Sequence, residues 1–332
     1  MSPAAAPPRF DVLGIGNAIV DVLAPVDEAF ISRHDMRKGS MTLIDAARAE
    51  AIYAAMPPAQ ETSGGSAANT CAVAAGLGAR AAYLGRVADD QLGAVFRHDI
   101  AAAGVHFPTA PLLGGAPTAR SMILVTPDGQ RTMNTYLGAC VAFGVEQVDE
   151  AVVADAAVTY MEGYLFDEPA AQAAFRHAAA VAHRAGRKVS ATLSDSFCVD
   201  RHRAAFLDLV RAHIDILFAN EAELCALYEC NDLADAVARV RREVALAAVT
   251  RSEDGSLVIR GEETVEIAAE PTRVVDTTGA GDAYAAGFLA ALAAGRGLAG
   301  CARLGSLAAA EIIGHYGARL QRDFRAEAAA LA

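Results

Sequence analysis

Lysine is almost absent from this chain, because its 332 residues include only Lys38 and Lys188. A P-loop nucleotide site requires a lysine in the pattern G-x-x-x-x-G-K-[ST]. Neither lysine lies in such a context, so the sequence excludes a P-loop enzyme. A site for an anionic ligand would have to use arginine or backbone N–H groups instead.

Long apolar runs and paired cysteines are also missing. No stretch approaches the roughly 18 uninterrupted apolar residues of a membrane span, and MSPAAAPPRF at the start lacks the regions of a signal peptide. The 6 cysteines form no C-x-x-C pair, which argues against structural zinc and against a disulfide scaffold. We therefore expect a cytoplasmic protein with no membrane partner.

Several familiar functional patterns are absent too. The 8 histidines form no H-E-x-x-H, and the chain contains no G-x-S-x-G. GIGNAI has Ile19 where a dinucleotide fingerprint requires its third glycine. The net charge of -12 argues against a nucleic-acid partner, because a phosphate backbone calls for a basic face.

Short apolar runs alternate with alanine-rich segments of helical length. This rhythm predicts an α/β protein with a mostly parallel sheet covered on both faces, built as one domain over residues 1–332. The runs that we interpret as buried strands are residues 10–16, 81–87, 156–163, 188–194, 214–220 and 245–251.

Two regions break this rhythm. Residues 17–50 are mixed and polar, and residues 121–138 form two alternating segments around Asp128-Gly129, a strong hairpin signal. We expect residues of about 17–50 and 108–138 to form a small β lid over one end of the sheet.

The segment VVDTTGAGDAYAAGFLAALAAG, residues 274–295, carries the most specific chemistry. Gly279 and Gly281 free the backbone to turn its N–H groups toward one point, and the following helix adds its positive dipole end. Asp282 then lies in the first turn, where a bound phosphate would repel it unless a hydroxyl proton lay between them. This indicates a general base acting on an alcohol; the alternative is an ordinary helix-start acid.

Polar residues follow other predicted strands. Asn17 and Asp21 follow the first strand, and Asn69 lies on a helix that opens at SGGSAANT; each is explained by ligand binding or by ordinary turn and cap chemistry. In NEAE, Asn220 and Glu223 either cap a helix or hold water molecules of a Mg²⁺ ion.

Taken together, these motifs identify a resemblance. DTTGAGDAYAAGFL, GGSAANTCAVAAGLGARAAYLGRVADDQLG, NEAE and GIGNAIVD resemble, in order and spacing, the motifs of the ribokinase-like (PfkB) carbohydrate and nucleoside kinases. The resemblance implies an α/β/α sandwich with a β lid that transfers the γ-phosphate of ATP to an alcohol with Mg²⁺.

The resemblance also implies site residues. Asp282 is the base, the amides of Gly279, Ala280 and Gly281 bind the anion, and Arg131 reaches the phosphates. Substrate hydroxyl contacts fall to Asn17, Asp21, Gly65 and Asn69. Nucleotide and Mg²⁺ contacts fall to Asn220, Glu223 (through water), Thr250, Arg251, Ser252 and Gly255. A K⁺ ion would lie near the backbone of Asp276 and Thr278.

The acceptor is harder to define. GGSAAN has Ser66 where ribokinases usually carry lysine, and GNAIVDV and RTMNTYLGA are similar to adenosine kinases and their bacterial relatives, enzymes of purine salvage. An apolar slot for a nucleobase is predicted, unless these side chains only pack the lid and core, from Ser66, Met133, Tyr136, Tyr164 and Phe166. We expect a kinase for the 5′-hydroxyl of adenosine or a similar nucleoside. The alternatives are a kinase for ribose, fructose or 2-keto-3-deoxygluconate and a nucleoside sensor without catalysis, and the protein would be a monomer or a homodimer.

Overall fold

Fourteen strands and twelve α-helices make up the part of the chain that the computed structural model describes, residues 7–330. Residues 1–6, on which the signal-peptide expectation partly rests, and residues 331–332 lie outside it. The strands are β1 (Phe10–Ile15), β2 (Ile19–Pro25), β3 (Met41–Leu43), β4 (Gln60–Gly64), β5 (Ala81–Leu84), β6 (Val105–His106), β7 (Ala119–Val125), β8 (Arg131–Tyr136), β9 (Ala156–Glu162), β10 (Lys188–Thr192), β11 (Ile216–Asn220), β12 (Leu246–Thr250), β13 (Ser256–Arg260) and β14 (Glu263–Ile267). The helices are α1 (Glu28–Arg33), α2 (Ala46–Ala55), α3 (Ser66–Gly76), α4 (Gln91–Ala102), α5 (Glu150–Ala154), α6 (Pro169–Arg184), α7 (Ser196–His213), α8 (Glu221–Tyr228), α9 (Leu233–Glu243), α10 (Ala280–Ala293), α11 (Leu298–Ile312) and α12 (Arg325–Ala330).

The large sheet has the strand order β14-β13-β12-β11-β10-β9-β1-β5-β6. All strands from β12 to β6 in this order run parallel, whereas β13 and β14 pair antiparallel. The six strands expected from the sequence all lie in the parallel part, which confirms the α/β prediction. Because parallel strands point the same way, their carboxyl ends meet along one edge of the sheet.

Helices cover both faces of this sheet. One core packs α5, α6, α7, α8 and α9 on one face, and the other packs α3, α4, α10 and α11 on the opposite face. Strands buried on both faces read as short continuous apolar runs, which explains the pattern in the sequence. None of the helices in residues 7–330 has the length and apolar character to cross a membrane.

A second, small sheet has the strand order β3-β8-β7-β2-β4. Strands β7 and β8 form the expected hairpin, in which Val125 pairs with Arg131 and Gly129 adopts a φ of 81° in the turn. Strand β4, sequence QETSG, also belongs to this sheet. The sequence did not predict this strand, because it has no alternation of apolar and polar residues.

Helix α10 is packed very closely against α11. A Cβ on Gly287 would lie 2.5 Å from the carbonyl oxygen of Leu304, and one on Gly305 would lie 2.8 Å from that of Tyr284. Glycine is therefore needed at both positions for the backbones to approach. This contact fixes the position of α10 and of the loop that precedes it.

Candidate functional site

The carboxylate of Asp282 lies in the first turn of α10, where it contacts α3. Ser66 Oγ donates to Asp282 Oδ1 at 2.6 Å, and Asn69 Nδ2 donates to Oδ2 at 3.2 Å. Burial raises the pKa of Asp282, while these two hydrogen bonds and the charge of Arg319 oppose the rise. The structure thus brings together residues that the two glycine-rich motifs supply from distant parts of the chain.

The loop before α10 has the backbone shape that its glycines predict. Gly279 is the N-cap, with a φ of 78°. The N–H of Ala280 donates to Thr277 O at 3.2 Å, so this amide is engaged within the turn. A Cβ added to Gly281 would meet nothing within 4 Å, so open space lies beside the loop at this position.

Glu162, at the carboxyl end of β9, was not identified from the sequence. It is buried; its Oε1 accepts from Asn17 Nδ2 at 2.8 Å and its Oε2 accepts from Ala67 N at 2.9 Å. Burial raises its pKa to about 7, against the opposing effect of these hydrogen bonds. Glu162 therefore links the end of β1 to the first turn of α3.

Asp21 and Gly65 lie where β2 and β4 of the small sheet meet α3. Gly65 has a φ of 94°, and a Cβ there would lie 2.0 Å from the carbonyl oxygen of Asn17. Burial raises the pKa of Asp21 to about 6, and the charges of Arg319 and Arg131 oppose this. The substrate residues expected from the sequence thus surround one end of the large sheet.

Arg131 begins β8 and forms an ion pair across to the loop before α10. Its Nη2 lies 2.7 Å from Asp276 Oδ2, and the side chains are 8% and 7% exposed. The guanidinium also lies 5.4 Å from the ring centroid of Tyr316, and Thr278 Oγ1 donates to Asp276 Oδ1 at 2.9 Å. In this structure, then, both Arg131 and the Asp276 carboxylate are engaged with protein partners.

Asn220 and Glu223 form a reciprocal helix cap. Asn220 Nδ2 donates to Glu223 Oε1 at 2.6 Å, and Glu223 N donates to Asn220 Oδ1 at 2.8 Å. Burial raises the pKa of Glu223 to about 7. Residues 7–330 contain no cluster of three or more His, Cys, Asp or Glu suited to a metal. The donor set fits Mg²⁺ only as an ion held mainly by phosphates and water, with few protein ligands.

The turn after β12 is tight and held against β14. Arg251 N donates to Gly255 O at 2.8 Å, and Arg251 Nη2 donates to Asp254 O at 3.0 Å. Gly255 has a φ of 80°, and a Cβ there would lie 2.0 Å from Ile267 O. Thr250 and Ser252 flank this turn at the same edge of the sheet as Asn220.

Aromatic side chains near this edge differ in their surroundings. Tyr164 is 37% exposed and donates through its hydroxyl to Ser194 O at 3.1 Å, and Phe197, in the first turn of α7, is 74% exposed. Phe166 is buried, with its ring centroid 4.6 Å from that of Phe206, so the prediction that it lines a slot was wrong. Tyr136 packs partly buried beside α2 in the small sheet.

Glu162, Arg319 and Phe197 are the residues at this site that sequence reasoning missed. Glu162 ends an apolar run, Arg319 lies in a loop beyond α11, and Phe197 lies in the first turn of α7, where the sequence has no motif. A polar residue at the end of a buried parallel strand is the signal that would have indicated Glu162.

Comparisons with known proteins agree with this architecture. The pattern of the pfkB family carbohydrate kinases matches residues 39–324. The structure of adenosine kinase from Sinorhizobium meliloti is 55% identical, with a TM-score of 0.90 over 98% of this chain and 100% of that one. That of a probable sugar kinase from Rhizobium etli is 51% identical, with the same TM-score and coverage. An ATP-dependent ribose-1-phosphate kinase from Halopiger xanaduensis is 33% identical over 239 residues, 70% of this chain and 73% of that protein.

The family match spans most of the chain, and the relatives share its two-sheet fold at substantial identity. The chain therefore belongs to the pfkB family of carbohydrate kinases and is a phosphotransferase that acts on an alcohol acceptor.

Proposed function

We propose that this kinase transfers the γ-phosphate of ATP to the 5′-hydroxyl of adenosine or a similar nucleoside, with Asp282 as the general base. The observation that carries the proposal is the partly buried carboxylate of Asp282 at the start of α10, which accepts a hydrogen bond from a hydroxyl, that of Ser66, at 2.6 Å. An acceptor alcohol would take the same kind of position beside this carboxylate.

In the proposed reaction, the acceptor oxygen attacks the γ-phosphorus and its proton passes to Asp282. The new oxygen–phosphorus bond forms as the bond from that phosphorus to the departing ADP oxygen breaks. Burial raises the pKa of Asp282 and so makes it a better proton acceptor than an exposed aspartate. The amides of Gly279 and Gly281 and the dipole of α10 would stabilise charge on the transferring group.

Nucleotide binding is assigned to the opposite part of the same edge. The turn Thr250 to Gly255 would contact ATP, and Asn220 and Glu223 would orient water around Mg²⁺. The ion, when bound, neutralises phosphate charge. Arg131 would have to leave Asp276 to reach a phosphate, and the predicted lid role of the small sheet supplies a movement that does this. The K⁺ ion near Asp276 and Thr278, the cytoplasmic location and the choice between monomer and homodimer stay predictions.

Two aromatic side chains near Ser194, those of Tyr164 and Phe197, favour a nucleoside over a free sugar as the acceptor. Tyr164 and Phe197 keep part of their ring surface exposed at the ends of adjacent strands, and a nucleobase offers a flat face for such rings. Burial raises the pKa of Tyr164, and the charges of Asp195 and Asp282 add to the rise. Asn17, Asp21, Gly65 and Asn69 would then contact ribose hydroxyls.

A sugar acceptor is the second candidate. Asn17 and Glu162 form a polar, hydrogen-bonded floor at the end of β1 and β9, which suits a small polyol as well as a ribose. Two relatives also support a sugar acceptor, because one is named a probable sugar kinase and the other a ribose-1-phosphate kinase.

The deciding experiment measures ADP release with adenosine, inosine, guanosine, ribose, fructose and 2-keto-3-deoxygluconate in parallel. Turnover of adenosine or another nucleoside is expected. Turnover of free sugars alone would refute the nucleoside proposal, and turnover of none would favour a binding role without catalysis.

The base assignment is tested by Asp282→Asn, which should abolish phosphoryl transfer and leave ATP binding largely intact. The matched control is Asp235→Asn, an exposed acid in the first turn of α9, which should keep wild-type activity. Near-normal turnover by Asp282→Asn would show that another group takes the proton.

A further inference from the structure

Arg319 lies between α11 and α12, and its guanidinium joins three parts of the candidate site. Nη1 donates to Asn69 Oδ1 at 2.5 Å, and Nη2 donates to Ser63 Oγ at 2.9 Å and to Ser63 O. Asn69 lies on α3 and Ser63 on β4 of the small sheet. One side chain therefore connects the C-terminal segment, the small sheet and the helix that faces Asp282.

The contact with Asn69 determines which way its carboxamide points. A guanidinium can only donate hydrogen bonds, so it binds the oxygen of the amide and not the nitrogen. The Nδ2 group is then left to donate to Asp282 Oδ2 at 3.2 Å. The reversed amide would set an oxygen against the carboxylate and a nitrogen against the guanidinium, and both contacts would repel.

Ser63 is itself anchored. Its N and Oγ donate to Asp99 Oδ2 at 2.8 and 2.6 Å, so a chain of hydrogen bonds runs from Asp99 through Arg319 to Asp282. Burial lowers the pKa of Arg319, and the groups that oppose this are Asp99, Asp21, Asp282 and Cys71. Arg319 is thus a partly buried positive charge whose pKa responds to both Asp21 and Asp282.

We propose that Arg319 is a positioning residue for phosphoryl transfer, which holds the Asn69 amide toward Asp282 and sets a positive charge two hydrogen bonds away from that carboxylate. This rests on the proposed function, because it takes Asp282 as the base. Arg319 acts through Asn69 and through its charge, and its bonds to Ser63 also hold β4 against α3.

The test compares Arg319→Gln, which removes the charge and the fork of donors, with Arg319→Lys, which keeps only the charge. Arg319→Gln should lower kcat by roughly 10- to 100-fold, since misplacement of reacting groups by about 1 Å has effects of this size. It should also move the acid limb of the kcat profile to higher pH, because Asp282 loses a charge that lowers its pKa. Arg319→Lys should keep the acid limb near the wild-type position but recover kcat only in part, because an ammonium cannot span Asn69 and Ser63 as a guanidinium does.

The control is Arg325→Gln, an exposed arginine at the start of α12, which should match the wild type. Wild-type kcat and acid limb in Arg319→Gln would overturn the proposal. Equal losses of kcat in the Gln and Lys variants, with both acid limbs unmoved and the melting temperature lowered in both, would also overturn it, because a purely structural role explains that result. Should Arg319→Gln fail to fold, Ser63→Ala removes one anchor of the guanidinium. A smaller loss of kcat in that variant supports the proposal, and an unchanged kcat refutes it.

The two proposals fail in different ways. An inactive Asp282→Asn together with a fully active Arg319→Gln refutes only the inference about Arg319. An active Asp282→Asn refutes the proposed function as well.

Discussion

Gly65 is the position where a single methyl group should disturb both the fold and the site. The residue joins β4 to α3 with a φ of 94°, and a Cβ there would lie 2.0 Å from the backbone oxygen of Asn17. Its ψ of 141° puts it in a backbone region that side chains rarely adopt, where alanine costs on the order of 1–3 kcal/mol, and relief of such an overlap in a packed site costs about 1–3 kcal/mol more. We expect Gly65→Ala to lose about 2–6 kcal/mol of unfolding free energy in total.

Gly186→Ala separates these two contributions. Gly186 also has a positive φ, 70°, but a Cβ there would meet nothing within 4 Å. It precedes the amino end of β10, away from the carboxyl edge. This control should therefore show the backbone penalty alone, about 1–2 kcal/mol, and wild-type kinetics.

Equilibrium urea unfolding of both variants measures the stability difference, and steady-state kinetics measure the effect on the site. Because the overlap pushes on Asn17, which donates to Glu162 at 2.8 Å, Gly65→Ala should raise KM for the alcohol more than KM for ATP. Equal loss of stability in the two variants, with an unchanged KM for the alcohol, would refute the reasoning.

Three further predictions concern other parts of the site. Gly281→Ala should leave stability unchanged or raise it by up to about 1 kcal/mol, because alanine favours a helix. It should nevertheless lower kcat, since the methyl group enters the open space beside the loop. An undiminished kcat would argue against an anion site at this loop. Glu162→Gln should alter the pH dependence of stability. The folded pKa of about 7 lies above the ordinary glutamate value of 4.5, so the native state binds the extra proton and wild-type stability falls by up to about 3 kcal/mol between pH 4.5 and 7. The gap between the variant and the wild type in urea melts should therefore change across this window, and a constant gap would contradict the assignment. Arg131→Met leaves the Asp276 carboxylate buried and without its ion-pair partner, which should lower the free energy of unfolding by about 3–5 kcal/mol. Adding Asp276→Asn should recover most of this loss. Additive losses in the double-mutant cycle would show that the pair is not coupled.

The sequence predicted the large sheet well because its strands are buried on both faces. The six apolar runs gave the six strands from β12 to β5 that form most of the parallel sheet, and Asp128-Gly129 gave the β7–β8 hairpin. Strand β4 was missed because QETSG is a polar edge strand. Strands β13 and β14 continue the sheet antiparallel and lie outside the alternating rhythm.

The sequence predicted the candidate-site residues that belong to motifs. It did not indicate the site residues that stand outside any motif. Asp282, Ser66 and Asn69 were named from two glycine-rich motifs, and both Ser66 and Asn69 donate hydrogen bonds to Asp282. Glu162 and Arg319 reach the site only because the chain folds, Glu162 lying 145 positions from Asn17 and Arg319 lying 250 positions from Asn69. No local pattern marks such residues, since what selects them is the partner that tertiary structure brings to them.

The glycine contact between α10 and α11 also restricts how this enzyme can change its acceptor. Gly287 and Gly305 leave no room for a side chain where the helices cross, so the helix that carries Asp282 cannot shift to suit a different alcohol. Tyr164 and Phe197, by contrast, are 37% and 74% exposed, so larger or smaller side chains there should disturb the packing less. If the proposed function holds, redesign of acceptor preference should therefore begin at these two positions and leave the start of α10 unchanged.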